Sequence, residues 1–266
     1  MIDRRNMLFK AGLGSAALLA PFLALERAAA QVKIQTPDDI MADTDHMAKM
    51  AKVLGPSLMG AKVHLVTTEP TLAPVSSDLG LAIVPTVMMA DGPKNLDLIF
   101  VPGGSEGTMN VMTNKVAIAF IADRASRAKH VTSVCTGSMI LGKAGLLKGK
   151  RATSHWSARP VLADFGAIPV EARVVTDGNV TTGAGVSAGL DFAIAIVAAL
   201  RGKAYAQTLM LEAEYHPEPP FPGGTLATTP ADVGAMMTEM FAPLEGKFRA
   251  IAKVRSNASS ATIKLK

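Results

Sequence analysis

The sequence contains a single cysteine, Cys135, in 266 residues. No disulfide can close within the chain, so a small cystine-stapled scaffold is excluded. The same scarcity removes the cysteine-rich metal patterns. The five histidines, His46, His64, His130, His155 and His216, do not fall at metal-ligand spacing, so no metal is expected. Aromatic residues are few, with one tryptophan, and nothing reads as a helix-turn-helix, a zinc finger or aromatic residues interleaved with basic ones. Those absences speak against a nucleic-acid partner. Long hydrophobic runs are missing too. The apolar stretches Ala11 to Leu25 and Val186 to Leu200 are both too short to span a bilayer comfortably.

What is present is a composition that is nearly half hydrophobic, dominated by Ala, Gly, Val, Leu and Met. It fits close-packed helices laid on a buried parallel sheet, and the length allows a core of ordinary size. The net charge of +5 is mild. Many of the bases lie at the two ends: Arg4, Arg5 and Lys10 at the start, and Lys247, Arg249, Lys253, Arg255, Lys264 and Lys266 at the finish. The ends read as solvated and the central domain as closer to neutral. The opening has the order of an export signal: paired arginines Arg4 and Arg5, a short apolar run, then Ala28-Ala29-Ala30 as a small-residue cleavage site. Residues 1–30 are accordingly expected to be a twin-arginine-type signal cleaved after Ala30. The mature protein would be periplasmic, touching a membrane only through that signal.

Residues 31–224 read as one α/β domain and 225–266 as a C-terminal Met-rich helix with a polar tail. Within the domain, strands are expected at Lys62 to Val66, Leu96 to Val101, His130 to Val134, Arg151 to Thr153, Ala172 to Thr176 and Asn179 to Thr182. The last two flank an Asp177-Gly178 turn. Leu81 to Val84 suits a short strand or hairpin arm. Helices are expected at roughly Lys115 to Arg127, Met139 to Ala144, from His155-Trp156 to Phe165 with Gly166 as the stop, Val186 to Leu200 and Ala204 to Glu214. Strands that alternate with helices in this way argue a parallel sheet with crossover helices.

Ser133-Val134-Cys135-Thr136-Gly137 falls between a strand and a helix, which is the setting of a nucleophile elbow. The turn is sharp, and Ser133 and Gly137 supply the small neighbours that it needs. The free N–H groups and dipole of the following helix point at the sulfur, so a lowered thiol pKa is expected. Pro102-Gly103-Gly104 ends a neighbouring strand. In a parallel sheet both turns open on one edge, where ligands bind, and glycine N–H groups there can hold developing negative charge. His155 follows the nucleophile helix and either lines the site or serves the structure.

These segments, with Gly142 to Trp156, Thr182 to Asp191 and Glu214-Tyr215-His216-Pro217-Glu218-Pro219-Pro220-Phe221, resemble the ThiJ/PfpI superfamily. The branch they look most like is that of the isonitrile hydratases. The resemblance implies a flavodoxin-like, class I glutamine amidotransferase-like parallel-sheet sandwich. It makes Cys135 the nucleophile, Thr136 the residue that assists it and Gly104 a backbone donor. The protease-like branch carries His directly after the cysteine, and Thr136 there speaks against a peptidase. The family's first strand ends in an acid near the cysteine and is followed by Gly-Pro. Here a polar run precedes Asp45, so either Asp45 takes the acid's place or Gly55-Pro56 marks the register and Lys52 stands there.

The implied activity is cofactor-independent hydration of a small substrate, an isocyanide becoming an N-substituted formamide through a Cys135 thioimidate, in a homodimer. Aldehyde chemistry of the glyoxalase or deglycase type, or a catalytically weak metabolite-binding or redox-sensing role, are the other readings. The sensing domain of a transcription regulator is not favoured. Only about forty residues follow Gly224, short of a paired helix-turn-helix, and the export signal contradicts it.

Overall fold

The computed structural model describes residues 62–76 and 80–254, which fall within one compact unit, Ala61–Lys266. The export signal, its cleavage site, Asp45, Lys52 and Gly55-Pro56 lie outside the described residues.

In chain order the elements are four short strands, β1 (Val66–Thr67), β2 (Val75–Ser76), β3 (Ala82–Ile83) and β4 (Val87–Met88), followed by β5 (Leu98–Val101). Helices α1 (Glu106–Thr113) and α2 (Lys115–Ala125) lead to β6 (His130–Val134) and α3 (Gly137–Lys143). Next come β7 (Arg151–Ala152), a 3-10 helix (Arg159–Phe165), β8 (Ile168–Pro169), β9 (Val174–Asp177) and β10 (Val180–Gly183). Three helices close the chain: α4 (Ala188–Arg201), α5 (Lys203–Glu212) and α6 (Ala231–Lys253).

The central sheet has the order β5-β6-β10-β9. β5, β6 and β10 run parallel, and β9 joins β10 as an antiparallel edge, the hairpin expected around Asp177-Gly178. The pairs β1-β4, β2-β3 and β7-β8 form separate two-stranded ladders, so the hairpin arm expected at Leu81 to Val84 pairs with β2. This is the α/β architecture that the strand–helix alternation argues, and it is consistent with the flavodoxin-like fold that the resemblance implies.

Register sets the two faces of the sheet. Ile99, Val131 and Val180 are cross-strand partners and enter one core with Met139, Leu141, Leu147, Val161, Leu162 and Phe248, the last six fully buried. Alternate residues face the other way. There Phe100 meets Phe192 of α4 at 5.8 Å between ring centroids, yet Phe100 stays 48% exposed.

Local chemistry explains the boundaries. Asn114 caps α2 by accepting from the Val116 and Ala117 N–H groups at 3.0 and 3.1 Å. Gly166, in the left-handed region at φ 74°, ends the 3-10 helix. Four expectations change. The strand expected at Lys62 to Val66 reduces to Val66–Thr67, which among the described residues pairs with β4. The helix expected up to Phe165 is a 3-10 helix that begins only at Arg159, with Pro160 in its first turn. A helix, α1, occupies Glu106–Thr113, where Gly107 and Asn110 dilute the helical pattern. β8 is added beside β7. The Met-rich α6 is docked through buried Phe248 and through Arg249, which bonds Asp164 at 2.9 Å.

Candidate active site

The chain reverses at the carboxyl end of β6, and Cys135 takes up the reversal with φ 59°. A side chain in the left-handed region costs about 1–2 kcal/mol, so its surroundings must hold it there. Part of that restraint is close contact. A Cβ on Gly137 would lie 2.2 Å from the Val101 carbonyl oxygen, and one on Gly103 would lie 2.7 Å from the Cys135 Cβ. Only glycine lets the ends of β5 and β6 approach this closely. The rest is hydrogen bonding. The Cys135 N–H donates to the Ala184 carbonyl at 2.7 Å and to that of Gly183 at 3.1 Å. The Cys135 carbonyl accepts from the Ser138 and Ser154 hydroxyls at 3.1 and 3.0 Å. Three strand ends, those of β5, β6 and β10, therefore meet at this residue.

Thr136 is buried and its hydroxyl is the hub of a second network. Its Oγ1 accepts from the Gly104 N–H at 2.9 Å, lies 2.6 Å from the Gly104 carbonyl oxygen, and sits 3.1 Å from Thr108 Oγ1. Thr108 reaches the Gly104 carbonyl as well, at 3.0 Å. Cys135, Thr136 and Gly104 are thus brought together, as the motifs implied. The Gly104 N–H, expected to face a developing negative charge, instead donates to Thr136. Thr108 and Ser154 were not singled out from the sequence. The signal available for Thr108 was its position four residues after Gly104, the distance of one helical turn.

The sulfur is half-buried. Burial pushes the Cys135 thiol up from its ordinary value, and the Thr136 N–H and hydroxyl only partly counter that. This corrects the expectation of a lowered pKa. The helix behind the sulfur, α3, has only seven residues, and among the described residues no ionic partner acts on the thiol.

His155 belongs to the same region. Its Cδ2 lies 3.3 Å from where a Cβ on Gly185 would sit, next to the Ala184 that holds the Cys135 N–H. Nδ1 is 2.8 Å from Ser157 Oγ. The ring packs against Trp156 at 5.7 Å and Phe241 of α6 at 5.5 Å. Burial, then the Arg159 charge, push the imidazole below its ordinary value, so it is neutral at neutral pH. Among the described residues no group of His, Cys, Asp and Glu is arranged to hold a metal ion.

A strained cysteine on a sharp strand-to-helix turn, at the carboxyl edge of a mostly parallel sheet, defines an α/β protein of the nucleophile-elbow class. The chain belongs to the DJ-1/PfpI family, whose sequence profile matches residues 31–199. It is 48% identical to the isonitrile hydratase of Pseudomonas putida over 177 residues, 66% of this chain and 76% of that protein. The crystal structure of a ThiJ/PfpI family protein from Pseudomonas syringae is similar at 51% identity with a TM-score of 0.71, covering 78% of this chain and 84% of that one. A deglycase of Pyrococcus horikoshii is 34% identical over 87 residues, 33% of this chain and 52% of that protein.

Proposed function

We propose that the chain is a cofactor-independent cysteine hydratase that converts isocyanides to N-substituted formamides. One observation carries the reading: an elbow cysteine, strained into position, in a chain 48% identical to an isonitrile hydratase. The first step needs the sulfur nucleophile and one proton. Sulfur bonds to the terminal carbon of R–NC while the thiol proton reaches the same carbon, giving the thioimidate R–N=CH–S–Cys. Water adds to that carbon, the C–S bond breaks with return of a proton to sulfur, and R–NH–CHO leaves. Atoms balance as isocyanide plus water, with no redox change.

Each step needs a group that takes up and returns a proton. The candidates are Asp45, the acid that the resemblance implies, the Thr136 hydroxyl, which bonds the sulfur, and the His155 imidazole of the same region. Losing general acid–base help is worth on the order of 10²–10⁴-fold.

Purified protein is expected to form the formamide from cyclohexyl isocyanide, and Cys135→Ala to abolish it. Asp45→Asn and His155→Gln divide the proton role: the one that lowers turnover into the range above holds the shuttle. Iodoacetamide should alkylate Cys135 at a rate that still climbs beyond pH 9, since thiolate forms late. If that thiol reacts but no isocyanide is hydrated, aldehyde chemistry replaces hydration, the reading to which the deglycase likeness points. We further propose action after export, as a homodimer. A periplasmic chain that begins at Gln31 and sediments at the mass of two chains is the expected result; cytosolic full-length monomer would overturn it.

A further inference from the structure

Among the described residues, two that are not glycine have a left-handed backbone, Cys135 at φ 59° and Glu214 at φ 47°. They stand at opposite ends of one chain of contacts. From Cys135 the N–H donates to the Ala184 carbonyl at 2.7 Å, and the Ala184 N–H donates to the Arg173 carbonyl at 2.8 Å. The Arg173 guanidinium pairs with the Asp191 carboxylate and comes within 3.4 Å of Ser187 Oγ. The Tyr215 hydroxyl donates to Asp191 Oδ1 at 2.7 Å. Tyr215 is set in turn by Glu214. The Tyr215 N–H donates to the Met210 carbonyl at 2.8 Å and the Glu214 N–H to that of Leu211 at 3.1 Å, the paired bonds that close a helix when its C′ residue is left-handed. That position ordinarily takes glycine; here a glutamate bears the strain and Tyr215 is aimed at Asp191.

Asp191 lies in the first turn of α4, and Gly183 to Ser187 is the segment that joins β10 to that helix. The Arg173 carbonyl therefore holds Ala184 within that segment, while the Arg173 guanidinium and the Tyr215 hydroxyl hold Asp191 in the helix that follows it. We propose that Arg173, Asp191 and Tyr215 are positioning residues for the nucleophile, acting through Ala184 to keep Cys135 in its strained, reactive conformation. They do not touch the sulfur. Their part is to stop the β10–α4 segment from drifting, which would let Cys135 relax toward the ordinary helical region and withdraw its side chain. This holds whichever small molecule Cys135 attacks.

The test is the second-order rate of iodoacetamide alkylation of Cys135 in the folded full-length chain, followed across pH, so that its outcome is independent of any hydratase assay. Tyr215→Phe should slow alkylation about three- to tenfold, the range one net hydrogen bond covers, and should move the pH midpoint of the profile. Asp191→Asn should slow it at least as much, and Asp191→Glu should recover part of the loss. The double variant Tyr215→Phe/Asp191→Asn should be no slower than Asp191→Asn alone, because one chain is cut twice. Ile196→Val, which loosens α4 without touching the cluster, should leave the rate within about twofold. The proposal is overturned if Tyr215→Phe and Asp191→Asn fold and alkylate at the wild-type rate with an unmoved pH midpoint. It is equally overturned if Ile196→Val slows alkylation as much as they do.

Discussion

The Cys135 turn is held from two sides by different physics. On the β5–α3 side the restraint is volume. Gly137 and Gly103 leave no room for a methyl group, and Met139 and Leu141 behind them are fully buried. On the β10–α4 side the restraint is polar and near solvent, where the Arg173 and Asp191 side chains remain 57% and 31% exposed. Steric restraint of the first kind is stiff and intolerant. Hydrogen-bonded restraint of the second kind contributes little to stability and serves mainly to set geometry. A fold can therefore guard the existence of an elbow with its core and adjust the elbow's reactivity from its surface.

The contrast is sharpest at Gly137. Gly137→Ala must push a methyl group into the Val101 carbonyl, and a loss of about 3 kcal/mol or more in urea unfolding is expected, beyond the usual range for overpacking because the obstacle is backbone. Hydratase turnover should fall below detection with it. Gly103→Ala, which meets the Cys135 side chain and Thr136, should cost about 1–3 kcal/mol and slow alkylation in the fraction that stays folded. At the other extreme Arg173→Gln, which removes a half-exposed ion pair, should change stability by less than about 1 kcal/mol while still lowering thiol reactivity. If Arg173→Gln destabilised as much as Gly137→Ala, the division into a steric side and a polar side would be wrong.

The steric side was the legible one. His130-Val131-Thr132-Ser133-Val134 followed by Cys135, Thr136 and Gly137 announces a strand, a sharp turn and a helix within eight residues, so each inference needs only its neighbours. The Thr136–Gly104 meeting followed once the two turns were placed on one sheet edge. Thr108 stayed hidden because Gly107 and Asn110 disguise α1. On the polar side the segments holding Asp191 and Tyr215 were noticed for their resemblance, but their meeting could not be read. Arg173, Asp191 and Tyr215 are far apart in sequence, and Tyr215 reaches Asp191 only because a glutamate at position 214 adopts a backbone more typical of glycine. The thiol pKa went wrong for a related reason. The sequence displays the helix behind the sulfur but not the degree of burial around it, and burial prevails.

Lys143 carries a consequence of another sort. It ends α3, and its amine donates to the Ile251 carbonyl at 2.8 Å and to that of Val254, closing the last turn of α6, while burial pushes its pKa down. α6 lies past the last residue matched by the family profile, yet one amine fastens it to the helix that begins at the nucleophile turn. The two hydrogen bonds shield this amine from an acylating reagent, and the lowered pKa leaves more of it unprotonated and ready to react whenever they open. Once modified, the side chain has lost its charge and can no longer donate to both carbonyls, so the C-terminal helix should fray from its far end. Peptide mapping of acylated protein would register that release as new protease cuts between Leu244 and Val254, a chemical read-out of how firmly the tail is tied to the Cys135 turn.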